Sequence, residues 1–250
     1  MRWTRIKVLT ISGLAAALAI ALAIALAIGP GNAAAAAAAP ACTAGLVPYT
    51  MVNHCAYPLW IGVSAGDATQ SYPPVNGRQD PAYPPTDGRW QLALGGGSAQ
   101  ICAPRAWGAA RIWARTGCSL DTAGHLTCLT GQCGRPGQVD CGAGAAQLSG
   151  DNPQTLFEIT THADGSAHYD VSVVNGANVP IVATAQGRCT RSTAGCIADL
   201  NASCPAALRK TIAPTTAAGP IPCGSGTFCP TGHCVAGACV IGCFAPFDAC

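Results

Sequence analysis

Sixteen cysteines behind a basic-then-apolar leader constrain this chain more than any other feature of it. MRWTRIK opens the chain, an uncharged and almost wholly apolar stretch covers 8–28, and GPGN leads into alanines from Ala33 to Ala39. That order matches the n-region, h-region and small-residue exit of a secretory signal. It predicts a signal peptide and Ala-rich spacer over 1–41 and a secreted, extracellular protein. About 20 apolar residues also suffice to span a bilayer, so an uncleaved N-terminal anchor is the alternative, and lipidation of Cys42 a further one. An even cysteine count in an oxidising compartment predicts disulfides rather than zinc. No C-x-x-C pair occurs; the closest set is Cys229, Cys234, Cys239 and Cys243. The expectation is therefore no metal and no cofactor.

Charge narrows the partners. Only 10% of residues are charged, against roughly 25% in an average soluble domain. Arg2, Arg5 and Lys7 belong to the leader, which leaves ten basic groups against eleven acidic ones. Such a surface has no field to hold nucleic acid or an anionic membrane. Half of the residues are apolar, enough for a core of one large domain. A monomer is expected.

Short β-rich runs recur between turn signals. Residues 48–64 read as two strands separated at or before Pro58. Trp90 to Leu94 and Gln100 to Ala103 flank GGGS, and Ala109 to Thr116 is a strand between arginines. Thr155 to Thr161, His168 to Val174 and Val179 to Thr184 alternate with the turns ADGS and NGAN. The stretches 67–89 and 117–153 read as loops, and Leu200 to Lys210 as a short helix. From 211 onward no periodicity is visible, so that segment is expected to rest on its bridges. This pattern predicts an all-β fold, an antiparallel β-sandwich or flattened barrel. Residues 42–210 would form it, and 211–250 a small disulfide-rich, C-terminal lobe.

Four ordered motifs resemble the thaumatin-like proteins: VNHCAYPLWIGVSAGDA (52–68), GAARIWARTGCSLDTAGHLTCLTGQCG (108–134), TLFEITTHADGSAHYDVSVVNGANVPIVAT (155–184) and GRCTRSTAGCIADLNASCPAALR (187–209). The resemblance implies a flattened β-sandwich beside a disulfide-rich lobe, with a cleft between them. It implies the pairs Cys118–Cys128, Cys133–Cys141, Cys204–Cys223 and Cys55–Cys250, with Cys189 and Cys196 reaching into the tail. Cys42 and Cys102 have no counterpart in the plant pattern and are left to pair with each other. The tail departs from that pattern, with six cysteines after Cys204 where relatives have eight, and no adjacent pair.

The resemblance also implies an acidic cleft of one Arg, one Glu and three Asp that binds β-1,3-glucan in antifungal, defence-type members. Position by position, Glu158 and Asp170 are kept. Asn175 replaces one Asp, Asp151 or its neighbour stands where the Arg is expected, and the last Asp is missing. Two carboxyls suit a glycosidase when one is protonated and the other ionised. Glu158 and Asp170 lie on neighbouring predicted strands, so a cross-strand pair is feasible, with Asn175 and Asp151 placed to bond sugar hydroxyls. The favoured expectation is carbohydrate binding, specifically of cell-wall β-glucan. A weak endo-β-1,3-glucanase with Glu158 as acid and Asp170 as partner is the alternative. A protease-inhibitor or structural, adhesion-type module is the third.

Other patterns carry less. Gly62-Val63-Ser64-Ala65-Gly66 spells G-x-S-x-G, but a nucleophile elbow needs a helix directly after it, and loop residues follow. The five His are scattered along the chain, and no H-E-x-x-H is present. Asn201-Ala202-Ser203 is a glycosylation sequon. Trp60, Trp107 and Trp113 are expected in the core, and Tyr72, Tyr83 and Trp90 in or beside the Pro-rich loop.

Overall fold

The computed structural model describes residues 42, 44–64, 91–120, 122, 126–132, 153–186 and 193–244. The leader, the Pro-rich stretch with Tyr72, Tyr83 and Trp90, and Cys133, Cys141, Asp151, Cys189 and Cys250 lie outside them.

Among the described residues, sixteen strands and one short helix follow in order. The N-terminal half carries β1 (Leu46–Val52), β2 (Leu59–Ser64), β3 (Gln91–Leu92), β4 (Ser98–Pro104), β5 (Trp107–Arg115), β6 (Ser119–Leu120) and β7 (Leu126–Thr127). After these come β8 (Leu156–Thr161), β9 (Ala167–Ser172), β10 (Ile181–Thr184), β11 (Thr193–Cys196) and α1 (Leu200–Ser203). The chain continues with β12 (Arg209–Ile212), β13 (Ile221–Gly224), β14 (Thr227–Cys229), β15 (His233–Val235) and β16 (Ala238–Cys243). Every pairing of these strands is antiparallel.

The main sheet has the order β3-β2-β5-β8-β9, and β1 pairs with β4 as a second ribbon. Side chains alternate across a strand, so Leu59, Ile61 and Val63 share a face with Ala110, Ile112, Ala114, Phe157 and Ile159. That face meets Ile101, Ala103, Tyr49 and Met51 of the β1–β4 ribbon in one apolar cluster. Two sheets with a shared core make the expected sandwich. Trp107 is completely buried within it.

The opposite face of the main sheet divides into two halves. One half is covered. Trp113 lies there with its indole N–H donating to the Gly131 carbonyl at 2.9 Å. Gly62 is opposite Trp113 in the ladder, and a Cβ on Gly62 would sit 2.2 Å from an indole carbon. Packing therefore accounts for the first glycine of the G-x-S-x-G string, while Ala65 and Gly66 lie outside the described residues. The other half carries Arg111, Glu158 and Asp170 and is more open.

An irregularity in β5 precedes this open half. The register shifts between Trp107 and Ala110, and Ala109 takes a left-handed φ of 44°. The amides freed by the bulge are not orphaned. Trp107 N–H donates to Thr161 Oγ1 at 3.0 Å and Ala109 N–H to Thr160 Oγ1 at 2.9 Å.

Three sequence expectations change in the C-terminal part. The helix expected over Leu200 to Lys210 shortens to α1 and a 3₁₀ turn at Ala206–Leu208. Pro205 and the extended backbone at Cys204 end α1, because proline disfavours a helical residue before it. The tail also forms strands, with β12-β16-β15 as one sheet and β13-β14 as a hairpin. They enclose Cys229, Cys239 and Ile241, against which Leu129, Ile212 and Ile221 pack. Strands of three to six residues with such mixed sequences leave no alternation to read. Finally, Cys204 bonds Cys243 rather than Cys223, and Cys223 bonds Cys234. The register explains the exchange: β16 brings Cys243 opposite Arg209, five residues beyond Cys204.

The remaining bridges among the described residues are Cys42–Cys102, Cys118–Cys128 and Cys229–Cys239. Cys42 thus pairs with Cys102, as the sequence left these two to do. Cys55 has no bridge among the described residues, and its implied partner Cys250 is outside them. Burial pushes the Cys55 thiol up from its usual range. Burial likewise raises the phenol of neighbouring Tyr57, which hydrogen-bonds the backbone of Gly232 in the tail.

Candidate functional site

Antiparallel pairing assembles the site in one row. Arg111 on β5 stands directly opposite Glu158 on β8, and Glu158 stands directly opposite Asp170 on β9. Residues facing each other across a strand pair bring their Cβ atoms to about 5 Å. Glu158 and Asp170 are thus neighbours on one face, and Arg111 Nε donates to Glu158 Oε1 at 2.7 Å. Both partners of this pair remain about one-third exposed, so its worth lies in orientation more than in stability.

The arrangement also contains a residue that the sequence reading did not single out: Arg111, 47 residues upstream of Glu158, brings a guanidinium beside it. Nothing local marks it. Only the strand register puts it beside the glutamate. Asn175 does not join the row. It is exposed in the turn after β9, where its carbonyl accepts from Gln154 N–H. Gln154 lies just before β8, four positions ahead of Glu158, about 13 Å of extended chain at the usual rise. Asp151 lies outside the described residues.

The two carboxyls have different surroundings. Partial burial, with the Glu158 charge second, raises Asp170 above the ordinary aspartate value. Glu158 instead has the Arg111 guanidinium against it.

A pH dependence of stability follows. The folded-state pKa of Asp170 is raised, so its contribution is fully present below the unfolded-chain value and is lost as pH rises through the folded one. Asp170→Asn should accordingly raise Tm at pH 7 and leave it unchanged near pH 3. Paired thermal melts at those two pH values check this, and equal shifts at both would contradict it.

Behind the covered half of the same face, Asn178 organises a buried polar network. Its amide donates to the Ala114 carbonyl and to Thr130 Oγ1, both at 2.8 Å. Its Oδ1 accepts from Thr155 N–H at 3.0 Å and Val179 N–H at 2.9 Å. Asn201 Nδ2 donates to the Asn178 carbonyl at 2.8 Å. Asn201 is only 3% exposed. The sequon nitrogen is therefore spent inside the fold and out of reach of a glycosylating enzyme once the chain has folded. Its unpartnered Oδ1 adjoins a small cavity beside Asp199 and Pro180, where a single water would satisfy it.

Comparison with known proteins identifies relatives of the chain. Residues 53–246 match the Thaumatin family. The chain is 37% identical over 172 residues to pathogenesis-related thaumatin-like protein 3.5 of Cryptomeria japonica, covering 68% of this chain and 62% of that one. It is 37% identical over 163 residues to pathogenesis-related protein 5 of Arabidopsis thaliana, covering 64% and 58%. It is 40% identical over 165 residues to thaumatin-like protein 1 of Prunus persica, with the same two shares. The chain thus spans about 60% of the length of these relatives. Among solved structures, the thaumatin-like xylanase inhibitor aligns with a TM-score of 0.36 at 28% identity, over 54% of this chain and 73% of that one. With the match running across three-quarters of its residues, the chain belongs to the thaumatin family.

Proposed function

We propose that this protein is exported, as a defence-type member of its family, and binds β-1,3-glucan of cell walls along the Arg111–Glu158–Asp170 row. The observation that carries the reading is the placement of these three side chains side by side on the more open half of one sheet face. Carboxylates accept hydrogen bonds from sugar hydroxyls, and a guanidinium donates to ring and hydroxyl oxygens. The pair Arg111–Glu158 fixes the direction in which Glu158 presents its second oxygen. Five disulfides among the described residues suit a protein that works in an oxidising compartment. The pathogenesis-related names of the relatives agree with a defence role.

Sedimentation with insoluble β-1,3-glucan tests the reading. Glu158→Gln keeps the shape but loses the charge, and it should weaken binding at least tenfold, the worth of one charge-assisted hydrogen bond of about 1.5 kcal/mol. Unchanged binding in a folded Glu158→Gln protein would remove the row from the function. Release of reducing ends by the parent protein, abolished in Asp170→Asn, would favour the hydrolytic alternative.

A further inference from the structure

The histidines that are scattered in the sequence are not all scattered in space. His168 lies on β9 opposite Thr160. The β8–β9 ladder runs one step beyond Thr161, because His162 N–H donates to the Ser166 carbonyl at 2.9 Å. His162 and His168 are therefore diagonal neighbours on the same face as Glu158 and Asp170, since positions two apart on a strand share a face. Their ring centroids are 5.8 Å apart, with the planes at 81°. Both residues are exposed, and no hydrogen bond or salt bridge among the described residues occupies either imidazole.

We propose that His162 and His168 form an open two-histidine site for a divalent transition-metal ion at the end of the carboxylate row. Neutral imidazole suits zinc, copper and nickel. With metal–nitrogen bonds of about 2.0–2.1 Å at a tetrahedral angle, two ring centroids fall about 5.3 Å apart, so the observed 5.8 Å needs an adjustment of about half an ångström. The scaffold under the rings is fixed on both sides. Thr160, between His162 and Glu158 on that face, is tied to the β5 bulge through its hydroxyl, and Asp164 closes the hairpin by accepting from Ser166 N–H and Oγ–H at 2.8 and 2.7 Å. The Asp164 carboxylate also interacts electrostatically with His162, which favours a cation there. Among the described residues no group of three His, Cys, Asp or Glu surrounds a common point. The ion would therefore keep its other positions for water or for oxygens of a bound ligand. This inference stands on the hairpin alone and does not depend on glucan binding.

Titration of the metal-free, disulfide-intact protein with Zn²⁺ in a calorimeter tests the site. One ion per chain is expected. His162→Asn and His168→Asn should each weaken binding at least tenfold, with the Tm of the metal-free protein unchanged because both rings are at the surface. Cys55→Ser should leave binding intact. The proposal is overturned if no ion binds at millimolar Zn²⁺. It is equally overturned if either histidine variant binds as the parent does, or if Cys55→Ser abolishes binding.

Discussion

Asn178→Ala is expected to cost the fold about 4 kcal/mol, because it strands several buried polar groups at once. The side chain bonds four partners in a region without solvent access: two backbone amides, one carbonyl and one hydroxyl. Truncation leaves them unsatisfied, at about 1–3 kcal/mol for each buried polar group that finds no substitute. Partial relaxation, and one water admitted to the space, hold the total below the simple sum. For a domain of this size, about 2–4 °C is lost per kcal/mol, so Tm should fall by roughly 10 °C. Thermal and urea unfolding with all bridges intact would measure it. The network reaches Ala114, Thr130, Thr155 and Asn201, joining β5, the segment after β7, the approach to β8 and α1. A loss under about 1 kcal/mol would mean that these elements hold together without it.

Replacing Cys229 and Cys239 together by Ser should cost about 3–4 kcal/mol. The bridge closes a span of ten residues. Loop entropy alone gives nearly 3 kcal/mol for that length. The rest comes from packing, because both cysteines are completely buried and, with Ile241, make up the buried core of the tail. Two hydroxyls in place of the sulfurs would put two polar groups into a buried site where both face the single Thr231 carbonyl. Hydrogen exchange should show β14, β15 and β16 losing protection, while β2, β5 and β8 keep theirs. Uniform loss across both regions would show that the tail and the sandwich unfold as one.

The strands of the sandwich were legible because β-rich runs, such as those holding Ile112, Ala114, Phe157 and Ile159, stand between arginines or turns such as ADGS and NGAN. The pairing of Glu158 with Asp170 was legible for the same reason, since a short hairpin fixes its own register. Arg111 was not. Its place beside Glu158 depends on which strand lies next to β8, and sheet order leaves no local mark along a chain. The tail was opaque for another reason: its core is partly sulfur. Cys229 and Cys239 read as staples, yet they also serve as the apolar residues around which three short strands assemble. Pairing of Cys204 with Cys243 is settled by that assembly rather than by nearness along the chain.

The irregular step in β5 has a geometric result of its own. In an unbroken strand, residues 107 and 111 have the same parity and point the same way. Here Trp107 is sealed in the interior while Arg111 reaches the opposite side to meet Glu158. The extra residue at 108–109 reverses the phase between them. Without Ala109 the ladder would run unbroken, with the indole and the guanidinium three positions apart and still on opposite faces, and the Ala109 N–H bond to Thr160 Oγ1 would be lost. With Ala109 in place, a single nine-residue strand fills the hydrophobic interior at its start and serves the charged surface two residues after the kink.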